Sequence, residues 1–369
     1  MYQQKKLVFL VCLFFMALTC IGFSLSSSGS ADIPRLHSLH SYLHNEADLV
    51  KVLCSASSDS SSSSSSDSNT LSFNSYNFSN ILSVLADYLV PQQKISAGFH
   101  FTCGISTDST VKCWGKGSYG KTEIPDPAEA YAQISSGGEH ACGILLTGST
   151  VKCWGNDDES QCQVPDPAET YTYISSGFDH TCGIVNNGTV RCWGNKLFGK
   201  TRVPVPTETY SQISSGFNHT CGILTNGTVR CWGNSFYEQC QVPDPTENYL
   251  QISAGYEHTC GILANRTVKC WGRKDHLECR VPIPSETYTQ ISAGYNYTCG
   301  ILTNDILTNG RVKCWGDNNY NKGLPSYPAE TYVQISAGFE HTCGILANGA
   351  ADCWGNSDFG PVQVPIVFR

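Results

Sequence analysis

The sequence predicts an all-β fold assembled from seven similar units, and three observations predict it. A tetrapeptide of the type Ile-Ser-(Ala/Ser)-Gly begins at Ile95, Ile134, Ile174, Ile213, Ile252, Ile291 and Ile335, at intervals of 39 or 40 residues and one of 44. All 7 tryptophans fall at one position of this unit, as Trp114, Trp154, Trp193, Trp232, Trp271, Trp315 and Trp354. Each unit also places two β-rich stretches around a turn, as in His219-Thr220-Cys221-Gly222-Ile223-Leu224 and Thr228-Val229-Arg230-Cys231-Trp232 on either side of Thr225-Asn226-Gly227.

The chain ahead of the array has a different character. Lys5 and Lys6 precede an apolar run from Leu7 to Thr19, the pattern of a secretory signal within residues 1–25. Small residues at Ser24 and Ser26 to Ser28 offer a cleavage border, while the run extended to Leu25 is just long enough to remain as a membrane anchor. The rest is expected outside the cell, secreted or at the surface, with membrane contact only if this segment is uncleaved. Residues 26–94 follow as an N-terminal segment. Leu36, Leu39, Leu43, Ala47 and Val50 are spaced for a short amphipathic helix, with His37, His40 and His44 on one polar face rather than as metal ligands. Residues 55–68 are almost entirely Ser and Asp, a linker that cannot bury apolar surface. Ile81, Leu82, Val84, Leu85, Tyr88 and Leu89 then restore apolar character, and this stretch is expected to pack on the array at 95–369.

Within a unit the two β stretches read as a hairpin. With a three-residue loop and Gly227 in the left-handed conformation, Leu224 faces Thr228, Ile223 faces Val229 and Cys221 faces Cys231. Directly opposed residues lie about 4.5–5.5 Å apart at Cα, within reach of a disulfide. Seven intra-unit bridges are therefore expected: Cys103–Cys113, Cys142–Cys153, Cys182–Cys192, Cys221–Cys231, Cys260–Cys270, Cys299–Cys314 and Cys343–Cys353. Unit two carries one extra residue and unit six five, the latter a repeat of Ile-Leu-Thr-Asn, both at the hairpin tip. The compartment suits these pairs, since a chain with 20 Cys in 369 residues is at home where thiols oxidise. Cys12 and Cys20 lie in the signal segment. Cys54, Cys162, Cys240 and Cys279 remain over, with pairing among themselves, a bond to a partner chain and free thiols all open.

Residues 252–272, Ile-Ser-Ala-Gly-Tyr-Glu-His-Thr-Cys-Gly-Ile-Leu-Ala-Asn-Arg-Thr-Val-Lys-Cys-Trp-Gly, resemble the repeat of the regulator of chromosome condensation family. The resemblance covers residues 95–365 and implies a seven-bladed β-propeller, with four antiparallel strands per blade around a central channel. The short unit and paired cysteines resemble more closely the extracellular propellers of plant Crinkly-type receptor kinases, although no kinase signature is present. A propeller-type β-lactamase inhibitor is similar in its Trp-Gly and Val-Pro punctuation. The founder's exchange activity on a small GTPase is not expected of an exported, acidic chain, and the net charge of −8 argues against nucleic acid as a partner.

Other motifs are absorbed by the repeat. Gly115-Lys116-Gly117-Ser118-Tyr119-Gly120 matches a dinucleotide-binding glycine pattern, but Gly115 recurs in every unit and reads as a strand end. The residue two before the first Cys of each unit is His at 140, 180, 219, 258 and 341 and aromatic at Phe101 and Tyr297, which favours packing over a titrating ring. No nucleophile, base and orienting acid occur together at a unique position, so neither catalysis nor a cofactor or metal is expected. The stretches after Trp-Gly vary most between units, and Tyr119, Phe198, Phe236, Tyr237, Tyr320 and Phe359 are the candidate anchors of a partner-binding rim. Asn-X-Ser/Thr acceptors at Asn77, Asn187, Asn218, Asn226, Asn265 and Asn296 are expected to carry glycans where exposed. The reading is an extracellular recognition module for a protein, peptide or glycan. Its alternative is a secreted enzyme inhibitor or, more remotely, a hydrolase or lyase working at the channel mouth.

Overall fold

The computed structural model describes residues 94–303 and 310–368, so the signal segment, the helix with its histidines, the Ser-rich linker, Cys54 and Asn77 lie outside the described residues. Seven antiparallel sheets follow in chain order, one per unit. In the first, β1 (Lys94–Ala97) is the inner strand, β2 (Phe101–Ile105) the middle and β3 (Val111–Gly115) the outer. The inner strands of the other blades are Tyr131–Ser136, Tyr171–Ser176, Tyr210–Ser215, Tyr249–Ala254, Tyr288–Ala293 and Tyr332–Ala337. The blades have three strands rather than the four implied by the resemblance. After Trp-Gly the chain turns at a glycine with positive φ, 107° at Gly115, and continues in tight turns such as Glu123 N–H to the Gly120 carbonyl at 2.9 Å. Backbone bonds spent within turns are not available to a fourth ladder. The glycine pattern at residues 115–120 is this turn.

The hairpin register is the one the three-residue loop requires. Cys221 pairs with Cys231 and Ile223 with Val229, and Gly227 has φ of 88°. All seven bridges close within their own blades, with Cα atoms 4.0–4.1 Å apart, nearer than the directly opposed spacing expected.

The ring is held by repeated contacts between neighbouring inner strands. The Ser of Ile-Ser accepts from the next blade's backbone in every blade, from Ser96 Oγ to the Ser136 N–H at 2.8 Å round to Ser336 Oγ and the Ala97 N–H at 2.9 Å. The glycine two residues later has no room for a side chain: a Cβ on Gly177 would lie 2.5 Å from the Gly216 carbonyl oxygen. Each Tyr that opens an inner strand lies over the glycine of Cys-Gly-Ile, as Tyr210 does over Gly222, and meets the blade's Trp edge to face, as Tyr210 does Trp232 at 6.1 Å. Blade one has no such Tyr. Phe368, fully buried at the carboxyl end, takes its place over Gly104 and beside Trp114 at 5.4 Å. That contact and the 2.8 Å bond from Trp114 Nε1 to the Pro361 carbonyl join the last unit to the first.

Candidate functional site

The repeat position before Thr-Cys forms a belt between blades. His140, His180, His219, His258 and His341 are buried, each with Nε2 within 2.8–2.9 Å of a Thr hydroxyl of the next blade. All five of those threonines, and Thr342 as well, donate to a carbonyl, as Thr259 does to Gln239 at 2.9 Å. A hydroxyl has one proton, so the imidazole must donate from Nε2 and keep Nδ1 bare. Nδ1 of His140, His180, His219 and His341 has no partner. Burial therefore holds His140 and His219 at about 4, His258 and His341 at about 3, and His180 well below the ordinary value. Tyr297 replaces one His and reaches Thr342 Oγ1 at 2.9 Å. Phe101 replaces another, and the facing residue is Ala141, the one unit without the Thr, so no hydroxyl is left unpaired. The belt is packing, as the aromatic replacements imply.

The channel mouth carries aromatic residues that were not among the expected site residues. The residue after Ile-Ser-(Ala/Ser)-Gly is Phe99, Gly138, Phe178, Phe217, Tyr256, Tyr295 and Phe339. The six rings form a collar, with neighbouring centroids at 4.1 Å (Phe178–Phe217), 4.5 Å (Phe217–Tyr256), 4.3 Å (Tyr256–Tyr295), 4.1 Å (Tyr295–Phe339) and 4.0 Å (Phe339–Phe99). Gly138 leaves a gap that Phe99 and Phe178 span at 5.7 Å. The signal was available: six of seven units are aromatic at this position.

One residue further on, His100, Glu139, Asp179, Asn218, Glu257, Asn296 and Glu340 fringe the collar. Three buried lysines, seven residues after Trp in units one, three and six, support it. Lys121 pairs with Glu139 and donates to the Phe99 carbonyl at 3.2 Å. Lys200 pairs with Asp179 and reaches Asn218 Oδ1 at 2.9 Å, and Lys322 pairs with Asp317 at 3.1 Å. Arg273 holds Glu257 at 2.7 Å. Glu340 meets the Asn356 amide at 2.8 Å and the His100 ring at 3.7 Å, whose own proton affinity is lowered by burial. In unit five the lysine position is Glu278, fully buried, with one oxygen accepting from the His276 N–H at 2.8 Å and Oε1 unpartnered, and burial raises its carboxyl above the ordinary range.

The expected rim lies at this same end of the blades, because the residue after Trp-Gly donates its N–H to the fringe carbonyl, as Lys116 does to His100 and Asn234 to Asn218, both at 2.8 Å. Tyr119, Phe198, Phe236, Tyr320 and Phe359 are 62, 59, 82, 55 and 48% exposed. Tyr119, Phe198 and Tyr320 hold φ of 61°, 59° and 62°, a left-handed backbone uncommon for aromatic residues and found where a site is held in shape. Tyr237 differs from its expected role as an exposed anchor: it is half-buried, with the Arg273 guanidinium 5.0 Å from its ring centroid. Among the described residues Cys162, Cys240 and Cys279 have no disulfide partner; each donates to a carbonyl of its own loop at 3.3, 3.2 and 3.0 Å, and burial pushes all three thiols up to about 12. Asn187, Asn226 and Asn265 are exposed at hairpin tips, at the opposite end, each oxygen accepting from the Thr two residues on. Asn218 is half-buried in the fringe and Asn296 is buried, so Asn296 does not meet the condition of exposure set for a glycan acceptor.

No curated protein sequence matches the chain. Among solved structures it is similar to the CRINKLY WD40 ectodomain of the Arabidopsis thaliana receptor kinase ACR4, at 26% identity over 75% of this chain and 98% of that one, with a TM-score of 0.61. The entire ectodomain of the Physcomitrella patens receptor kinase CR4 is similar at 24% identity, over 72% and 74% of the two chains, with a TM-score of 0.60. Prp20p of Saccharomyces cerevisiae shares the fold at 16% identity over 75% and 85%, with a TM-score of 0.57. The family described as Regulator of chromosome condensation (RCC1) repeat matches residues 93–121, 131–161, 171–199, 210–239, 250–276 and 332–360, which are units one to five and seven. With seven equivalent blades and the repeat recognised in six of them, the chain belongs to the RCC1-repeat family of β-propellers.

Proposed function

We propose that the chain is an extracellular recognition module that binds a protein, peptide or glycan partner through the channel-mouth face. The observation that carries this reading is the concentration of variable loops, exposed strained aromatics and a partly exposed aromatic collar at one end of a rigid ring. Exposed aromatics on a fixed scaffold bury large area at small entropic cost, which is what a recognition surface requires. The seven disulfides and the likeness to the ACR4 ectodomain support an extracellular setting. Glycans on Asn187, Asn226 and Asn265 would crowd the hairpin-tip end and leave the mouth end open.

The test is affinity capture from the extracellular fraction with the intact chain and with a variant carrying Ala at Tyr119, Phe198, Phe236, Tyr237, Tyr320 and Phe359. A partner retained by the intact chain and lost by the variant is expected. Full retention by a folded variant would overturn the rim assignment.

A further inference from the structure

We infer that Tyr119, Phe198 and Tyr320 form a tripod that seats a folded protein, with Lys121, Lys200 and Lys322 as its positioning residues; this rests on the mouth face being the binding face. The loops after Trp-Gly are of two kinds. In units one, three and six the fifth and sixth residues after Trp both have positive φ, 61° and 71° at Tyr119 and Gly120, 59° and 73° at Phe198 and Gly199, and 62° and 58° at Tyr320 and Asn321. Two such residues in succession make the tight turn that ordinarily takes Asn-Gly, and a bulky ring at its first position is disfavoured. In units two, four and five the sixth residue alone is left-handed, as Ser160, Glu238 and Leu277.

The seventh residue distinguishes the two kinds. Gln161, Gln239 and Glu278 fold back to accept the N–H of the fifth residue at 2.9, 2.9 and 2.8 Å. A lysine has no acceptor to offer. Lys121, Lys200 and Lys322, at most 1% exposed, instead pair with Glu139, Asp179 and Asp317, and two of them also donate to a collar carbonyl, of Phe99 at 3.2 Å and of Tyr295 at 3.4 Å. Each ring above such a lysine is more than half exposed. No burial offsets the unfavourable backbone in the free chain, which leaves that gain to a partner.

The three anchors stand two, three and two blades apart and so surround the mouth. With strands about 4.8 Å apart, the outer strand before each turn lies about 10 Å further from the axis than the inner strand, which sets the anchors on the order of 20 Å from one another. A monosaccharide or a single side chain covers one anchor at a time. An extended peptide of about six residues reaches two, and meeting the third requires a bend held over the polar fringe. The disc they enclose, about 15 Å in radius, has an area of roughly 700 Å², close to the ~800 Å² that each partner contributes to a standard protein–protein interface.

The experiment places photoreactive benzoylphenylalanine, one position at a time, at Tyr119, Phe198, Tyr320, Phe236 and Asn226 of the full oxidised chain, and illuminates each with the extracellular fraction. The same protein is expected to be trapped from Tyr119, Phe198 and Tyr320 and not from Asn226. Heating the fraction beforehand is expected to reduce trapping at least tenfold, because a folded surface is lost where a linear peptide or a glycan survives. Trapping from Phe236 alone would overturn the tripod but leave mouth-face binding standing, whereas trapping from Asn226 alone, or from no position, would overturn both. Adducts of peptide or glycan size that survive heating would overturn the folded-protein assignment. In the isolated chain Lys200→Met is expected to speed chymotryptic cleavage after Phe198 severalfold and Lys200→Arg to leave it slow, with cleavage after Phe236 unchanged in both. Equal cleavage after Phe198 in Lys200→Met and the parent chain would refute the positioning role.

Discussion

The belt between blades yields a quantitative test because the molecule contains its own control. His219 Nε2 lies 2.9 Å from Thr259 Oγ1, and that hydroxyl donates to the Gln239 carbonyl at 2.9 Å. Thr259→Ala leaves the carbonyl satisfied, since Trp271 Nε1 also donates to it at 3.0 Å, but strands the buried imidazole N–H. A buried donor without a partner costs about 1–3 kcal/mol. His219→Phe alone leaves the hydroxyl still able to donate to the carbonyl and is expected to cost about 1–2 kcal/mol through misfit. The double variant reproduces the Phe101–Ala141 pairing of the first junction, where neither polar group is present. It should therefore cost about as much as the milder single change, with a coupling energy of about 1 kcal/mol or more. The assay is thermal melting under oxidising conditions, where about 1 kcal/mol corresponds to roughly 2–4 °C for a domain of this size. Losses that add to within about 0.5 kcal/mol would show that His219 and Thr259 do not act as a pair, and would refute the reasoning.

Three further outcomes follow from the buried groups. The five belt histidines have lowered proton affinity when folded, so the unfolded chain binds more protons below pH 6.5; stability should be level above that value and fall as pH drops toward 4, by about 1.4 kcal/mol per pH unit for each histidine, and a melting temperature unchanged from pH 7 to 4.5 would contradict it. Glu278 has the opposite sign: its raised value favours the fold at low pH and that contribution is lost as pH rises, so Glu278→Gln should raise the melting temperature at pH 7–8 and leave it nearly unchanged at pH 4. The thiols of Cys162, Cys240 and Cys279 should resist alkylation by iodoacetamide at pH 8 in the folded chain and react on denaturation, because burial and a carbonyl acceptor hold them protonated.

Most of what repeats in this architecture was legible in the sequence, and what occurs once was not. Hairpin register followed from Asn-Gly and the spacing of paired cysteines, because loop length alone decides which residues oppose each other. The replacement of His by Phe101 and Tyr297 was enough to mark the belt as packing. The collar was written in the same rows, but a residue following the invariant glycine reads as a turn until the glycines are seen to touch around the axis. Phe368 gave no signal, since it substitutes for a Tyr from outside the repeat frame, over 260 residues from the glycine it covers. The fourth strand was an inheritance of the resemblance, and the turn bonds after each Trp-Gly displace it.

The placement of the disulfides has a mechanical consequence. Every bridge lies inside one blade and none crosses a junction, so the described ring is covalently seven knots on a string with a seam closed by non-covalent contacts alone, such as those of His341 with Thr102, Trp114 with the Pro361 carbonyl and Phe368 with Trp114. Under tension the seam should part first and the blades then come away singly. Five of the seven bridges lock a span of 10 residues, leaving some 29 of each 39-residue unit free to extend. At about 3.5 Å per residue each blade would then pay out roughly 100 Å of chain before the next one yields. Reduction would lengthen each step without altering their number.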